Sequence, residues 1–141
     1  MVEGKAEEAL TLYDDVLSRR ATAYAIHANR GAALDVLGRW DDALAAFDTA
    51  LELKEDYTEA HHNRGVVLAK LGRFEEALAS HVQATTLRPT FAEAFRGAAD
   101  AAARLDKFEE AVEYATKVSQ MLVCAGARPG EAANCRHGSS D

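Results

Sequence analysis

The chain repeats itself at a period of 34 residues. Laid over one another without a gap, Tyr24–Tyr57 and Thr58–Phe91 share 13 identical residues in 34. Agreement is densest from Asn29-Arg30-Gly31 through Leu37-Gly38-Arg39 to Ala43-Leu44, which returns as Asn63-Arg64-Gly65, Leu71-Gly72-Arg73 and Ala77-Leu78. Where identity fails, chemistry is often kept, as in Trp40/Phe74, Asp41/Glu75, Asp42/Glu76 and Tyr57/Phe91. A unit this short cannot bury its own apolar face, so successive copies must stack and cover one another. The period therefore predicts a solenoid, an architecture that names a binding module without naming what is bound.

Each unit has the pattern of two antiparallel helices. In 24–57 a first helix over about Ala25–Leu37 buries His27, Gly31 and Leu34, which fall at i, i+4 and i+7, and Gly38 ends it. A second helix over about Asp41–Leu53 opens on two acids, favourable beside exposed helix amides, and turns Ala43, Phe47, Ala50 and Leu51 inward. Gly31 and Ala43 let the pair approach closely, while Leu34, Trp40 and Phe47 fill the space around them. In 58–91 the same places hold His61, Gly65, Leu68 and Gly72, then Ala77, His81 and Ala84; Pro89 bars continuation of the helix. Residues 92–125 form a degenerate copy, with Phe95 for the histidine, Ala99 for the first glycine and Asp106 for the turn glycine, but with Phe108, Glu109-Glu110, Ala111 and Val118 retained. Residues 1–23 hold only the second half of a unit. Their helix, about Lys5–Ser18, carries Ala9, Leu12, Tyr13, Val16 and Leu17, and its partner is expected upstream of Met1. Residues 126–141, filled with Gly, Pro, Ser and Asn, are expected to be a disordered tail.

Composition narrows the function. Hydrophobic residues make up 48% of 141 positions while aromatics make up 7%, as suits closely packed helices in one domain. A net charge of −7 argues against a nucleic-acid partner, whose phosphates require a basic stripe. No apolar run is long enough to span a membrane and no secretory leader is visible, so a soluble, cytoplasmic protein without a membrane partner is expected. Cys124 and Cys135 both lie in the last eighteen residues, away from the repeated packing positions, which favours a reducing compartment. With His137 they match no common zinc spacing, so no metal is expected. There is no Gly-rich phosphate loop and no nucleophile beside a base; no catalytic residue and no cofactor are assigned, and an enzyme is not expected.

The unit resembles the tetratricopeptide repeat. That family's pattern of Trp, Leu-Gly and Tyr on the first helix, then Ala, Phe and Pro on the second, falls on His61, Arg64-Gly65, Leu68, Ala77, His81 and Pro89. In the preceding unit it falls on His27, Arg30-Gly31, Leu34, Ala43 and Phe47, with Glu55 in place of the proline. The resemblance covers about Gly4 to Leu122 as three full repeats and an N-terminal half repeat. It implies an all-α, right-handed superhelix of helix-turn-helix hairpins, a scaffold whose first helices line a concave groove for an extended peptide or a partner helix.

Helical geometry then selects the residues that would face such a groove. Asn29 lies two residues, about 200°, round from His27, and so faces away from the second helix with Ala25, Ala28, Ala32 and Asp35. The same arithmetic selects Glu59, His62, Asn63, Val66 and Lys70 one unit on, then Glu93, Arg96, Asp100 and Arg104. Asn29 and Asn63 would stack. An asparagine amide both donates and accepts, and suits a ligand backbone whatever its side chains; the plainer reading is that each bonds the next helix of the solenoid. Arg30 and Arg64 are expected to lay their stems over the core with their heads in water.

Within the family, a clamp of lysines, asparagines and an arginine holds acidic chaperone tails. Glu93 and Gly97, or Glu59 and Asn63 in the other alignment, stand where that clamp needs lysine and arginine, which argues against it here. The Asn-x-Gly signature is closer to long bacterial arrays, including those fused to sugar-transferring enzymes. Two alternatives to a peptide-binding scaffold follow: a fragment of such an enzyme, or a solenoid that self-associates into homo-oligomers through uncapped ends, where Val112, Ala115, Val118 and Leu122 would lie open.

Overall fold

In the computed structural model, which describes residues 2–19 and 23–126, the repeat becomes a stack of helical hairpins. Among the described residues seven α-helices follow in order: α1 Val2–Arg19, α2 Tyr24–Val36, α3 Trp40–Leu53, α4 Thr58–Lys70, α5 Phe74–Leu87, α6 Ala92–Arg104 and α7 Phe108–Gly126. The hairpins α2/α3, α4/α5 and α6/α7 each join a leading helix to a trailing one, and α1 is a trailing helix by register. Gly126, assigned to the tail on composition, ends α7; the rest of the expected tail lies outside the described residues.

Each hairpin turns on a residue in the left-handed region. Gly38 has φ +75° and Gly72 φ +78°. The amide two residues past each leading helix's C-cap closes the turn, Arg39 N donating to Leu34 O and Arg73 N to Leu68 O, both at 2.9 Å. Asp106 holds the third turn at φ 61°, a conformation that a short polar side chain tolerates better than most.

Hairpin packing depends on the absence of a side chain at two repeated glycines. A methyl group at Gly31 would lie 2.8 Å from Phe47 Cε1, and one at Gly65 would lie 2.7 Å from His81 Nε2. These contacts bring α2 onto α3 and α4 onto α5, around the fully buried Leu34, Phe47, Val67 and Leu68. Hairpins are tied to one another by Arg30, bound to Asp14 on α1, and Arg64, bound to Asp48 on α3, each at 2.7 Å. Arg64 also donates to Ser80 Oγ at 2.7 Å. Both arginines thus bridge neighbouring repeats, where the sequence suggested heads left free in water. The leading helices α2, α4 and α6 touch in succession, whereas no trailing helix touches another among the described residues. The stack therefore curves toward its leading helices.

Three packing expectations are corrected. On α1 the buried residues are Ala6 and Leu10, joined by Tyr13, while Leu12 and Val16 are exposed. Ala6, Leu10 and Tyr13 share the register of Trp40, Leu44 and Phe47, and among the described residues α1 packs on α2 alone. Leu12 and Val16 share that of Ala46 and Ala50, which are buried on α3 between the leading helices α2 and α4; α1 has a leading helix on one side only among the described residues. At the other end Val118, expected to lie open, is buried on α7, a helix that packs on α6. His27 and His61, expected to be buried, are half-buried; the His61 ring turns out of the hairpin to Glu55 O at 2.8 Å, where its nitrogen finds a partner.

Candidate functional site

The residues expected to face a groove lie on the three leading helices that touch. Asp35 on α2 and Lys70 on α4 meet across the face at 2.6 Å. Asn29 is exposed and Asn63 half-buried, one repeat apart on α2 and α4. Neither amide bonds another described residue. Val66 is half-buried, as are Ala25 and Ala32. Ala28 is buried instead; its methyl is too short to clear the helices beside it, and at the same register His62 is half-buried and Arg96 exposed.

Charge on this face is largely paired within the protein. Glu59 accepts from Arg88 at 2.5 Å, and that bond holds its carboxyl below the usual carboxylate range. Arg88, from the loop after α5, also stacks over Phe91 with 5.0 Å between guanidinium and ring centre. On α6, Arg104 stands 3.8 Å from Asp100 and 5.6 Å from the Phe74 ring. Glu93 and Arg96 are exposed and form no ion pair with a described residue.

A histidine pair joins this face to the core. His62 Nδ1 lies 3.2 Å from His81 Nδ1, so one ring donates and the other accepts. The His62 ring packs 4.9 Å from Phe91. His81 is 2% exposed, in the slot that Phe47 fills one unit earlier, between Gly65 on α4 and Gly97 on α6. Burial first, then the neighbouring His62, lowers its pKa to about 4. Burial likewise lowers that of His62, against a smaller upward pull from Glu93. Sequence reasoning placed His81 in the packing stripe and His62 on the open face but missed their bond. The available signal was a polar ring at the Phe47 register with glycines at 65 and 97.

No cluster of metal-binding side chains occurs among the described residues; Cys135 and His137 lie outside them. No helix among the described residues is long and apolar enough to cross a membrane.

This geometry defines a class: an α-helical repeat solenoid with one face formed by its leading helices. A TPR repeat model matches residues 37–72, and a tetratricopeptide repeat model matches residues 62–120. Solved structures agree. A MamA structure superposes with a TM-score of 0.79 at 20% identity over 82% of this chain and 68% of that one. MamA from Desulfovibrio magneticus RS-1 gives 0.77 at 21% identity over 84% and 67%. The second TPR of Spaghetti (RPAP3), bound to the HSP90 peptide SRMEEVD, gives 0.69 at 22% identity over 74% and 97%. The chain belongs to the tetratricopeptide-repeat family. It spans about two thirds of the MamA chains, 63% in one of them, and at these identities the likeness is one of fold. Comparison with curated protein sequences gives no match.

Proposed function

We propose that the chain is a non-catalytic interaction module that receives an extended peptide or a partner helix on the face lined by α2, α4 and α6. The observation that carries this reading is the pair of unbonded amides, Asn29 and Asn63, at one register on two helices that touch. Asparagines with a purely structural role would bond a neighbouring helix; these two keep donor and acceptor for a partner. Helices pack about 8–10 Å apart and an extended chain advances about 3.3 Å per residue, so each asparagine would meet roughly every third ligand residue. Side-chain selection falls to His62, Val66, Glu93 and Arg96. Asp35, Lys70, Glu59, Asp100 and Arg104 would take part by exchanging their internal pairs.

The RPAP3 domain and its HSP90 peptide are a precedent for peptide capture on this fold. The ligand proposed here differs, because Glu93 and Gly97 oppose an acidic chaperone tail. The exclusion of nucleic acid belongs to the same proposal and rests on the charge of −7; a cytoplasmic setting belongs to it too and rests on the cysteines, both confined to the last eighteen residues.

Panning a random linear peptide library on the full chain, then mapping the selected peptide by amide chemical shifts, tests the reading. Shifts are expected around Asn29 and Asn63 on α2 and α4 and on α6. Shifts confined to the trailing helices would overturn it.

A further inference from the structure

The bond between His62 and His81 can run in either direction, and the surroundings of the two rings decide which. The two Nδ1 atoms lie 3.2 Å apart, a distance that holds one proton between them. In the neutral pair either His81 donates and His62 carries its own proton on Nε2, or His62 donates and His81 carries its own on Nε2. Each arrangement contains one ring of each tautomer, so the intrinsic preference of imidazole cancels. What surrounds the two Nε2 atoms then makes the difference.

His81 Nε2 lies inside the stack. The residue is 2% exposed, and a side chain at Gly65 or at Gly97 would strike three atoms of its ring at once, so α4 and α6 close on the ring. Among the described residues its one hydrogen bond is to His62. A proton on its Nε2 would be a buried N–H with no acceptor, which is costlier than a bare ring nitrogen. His62 is half-buried on the leading-helix face. Its Nδ1 turns inward to His81, so its Nε2 turns away, bonds no other described residue and can give its proton to water or to a partner. The stable arrangement is the one in which His81 donates. A proton added to His62 would have to occupy Nδ1, against the proton that His81 already points there, and could enter only by driving the His81 proton onto its enclosed Nε2. The pKa of both rings is lowered, by burial first, and the blocked position acts in the same direction. Glu93 of α6 pulls His62 the other way and does not prevail.

We propose that His81 fixes His62 as a neutral Nε2–H donor on the leading-helix face, and that a bound peptide meets it with an uncharged oxygen acceptor, a backbone or side-chain carbonyl. His62 is then a specificity residue, and His81, which touches no partner, is the residue that positions its proton. A lysine or arginine of the peptide, which can only donate, is refused at this point. The amide of Asn63 beside it both donates and accepts, so His62 adds a preference that the asparagines lack. The choice of partner rests on the peptide reading of this face; the direction of the bond does not.

Long-range nitrogen–proton correlation of the imidazoles in the full, unliganded chain at neutral pH reads the donor directly, with the two rings assigned by their loss in His62→Leu and His81→Phe. His62 is expected to be protonated at Nε2 and bare at Nδ1, and His81 the reverse. His81→Phe places in this slot the ring that Phe47 supplies one unit earlier against Gly31, so the fold should be kept while His62 takes up its proton at a higher pH than in the native chain. The opposite tautomers, or a His62 titration that His81→Phe leaves in place, would overturn the proposal. For the partner, a peptide selected from the random library on the native chain is titrated into His62→Gln, which keeps an N–H donor, and into His62→Leu. Affinity should fall by about threefold or less in the first and by about tenfold in the second. Replacing each Asn and Gln of the peptide by Ala separates the two sources of the acceptor: a loss of about tenfold at one of them marks a side-chain carbonyl, and no such loss marks a backbone one. Equal affinity for all three chains, or a peptide Lys or Arg seated on the His62 ring, would overturn the choice of partner. If the library yields no binder, that choice falls with the peptide reading, and the tautomers alone decide the donor.

Discussion

His81 shows how one substitution in a repeat changes the chemistry of the whole stack. The slot between Gly65 and Gly97 accepts a flat ring, and an imidazole there must stay neutral to remain buried. Its pKa in the fold is about 4, below the ordinary value of 6.5. A lowered value means that the fold favours the neutral ring: the stabilisation is present above about pH 6.5 and is lost as pH falls toward 4. Complete loss amounts to on the order of 3 kcal/mol. His62, lowered in the same direction, adds to the effect. Thermal melts between pH 7 and pH 4.5 should therefore slope downward in the native chain and flatten in His81→Phe; parallel slopes would refute this account of the pair. Gly31→Ala and Gly65→Ala should each cost about 1–3 kcal/mol, because the methyl meets a core ring with nowhere to move. Asp106→Gly should add about 1 kcal/mol by relieving a left-handed backbone at a non-glycine residue. Denaturant unfolding measures all three.

Between elements, packing does most of the joining and the arginine bridges set the register. Asp14 and Arg30 are partly exposed, so a double-mutant cycle on them should give a coupling of about 0.5 kcal/mol. Arg64→Ala should cost more than Arg30→Ala, about 1 kcal/mol more, because it also strips a donor from the buried Ser80 hydroxyl. Equal costs would mean that the Ser80 bond contributes nothing. The helices themselves were legible in the sequence: α2 and α3 begin and end within one residue of the limits set by Gly38 and the apolar spacing. The working face of the end helices was not. Apolar residues ring much of α1 and α7 because interior trailing helices are covered on two sides, and periodicity does not say which neighbour is present. That is why Ala6 and Leu10 are buried where Leu12 and Val16 were expected, and why Val118 is covered. The arginine bridges and the His62–His81 bond were illegible for another reason: each joins residues 16 or 19 apart on different helices, and that pairing appears only once the hairpins stack.

For the whole molecule, contact among α2, α4 and α6, with none among the trailing helices of the described residues, sets the curvature and the face on its inner side. Most charges on that face answer one another, from Asp35 with Lys70 to Glu59 with Arg88. The groups left for a partner are mainly Asn29, Asn63, Glu93 and Arg96. The most direct test is calorimetric titration of a library-selected peptide into the native chain and into Asn29→Ala/Asn63→Ala, with thermal melts of both. Two backbone hydrogen bonds at about 1 kcal/mol each predict an affinity loss of at least tenfold. The melting temperature should shift by less than about 2 °C, because neither amide bonds another described residue. Unchanged affinity, or a fall in melting temperature as large as that of Gly65→Ala, would contradict the assignment of these asparagines to a ligand.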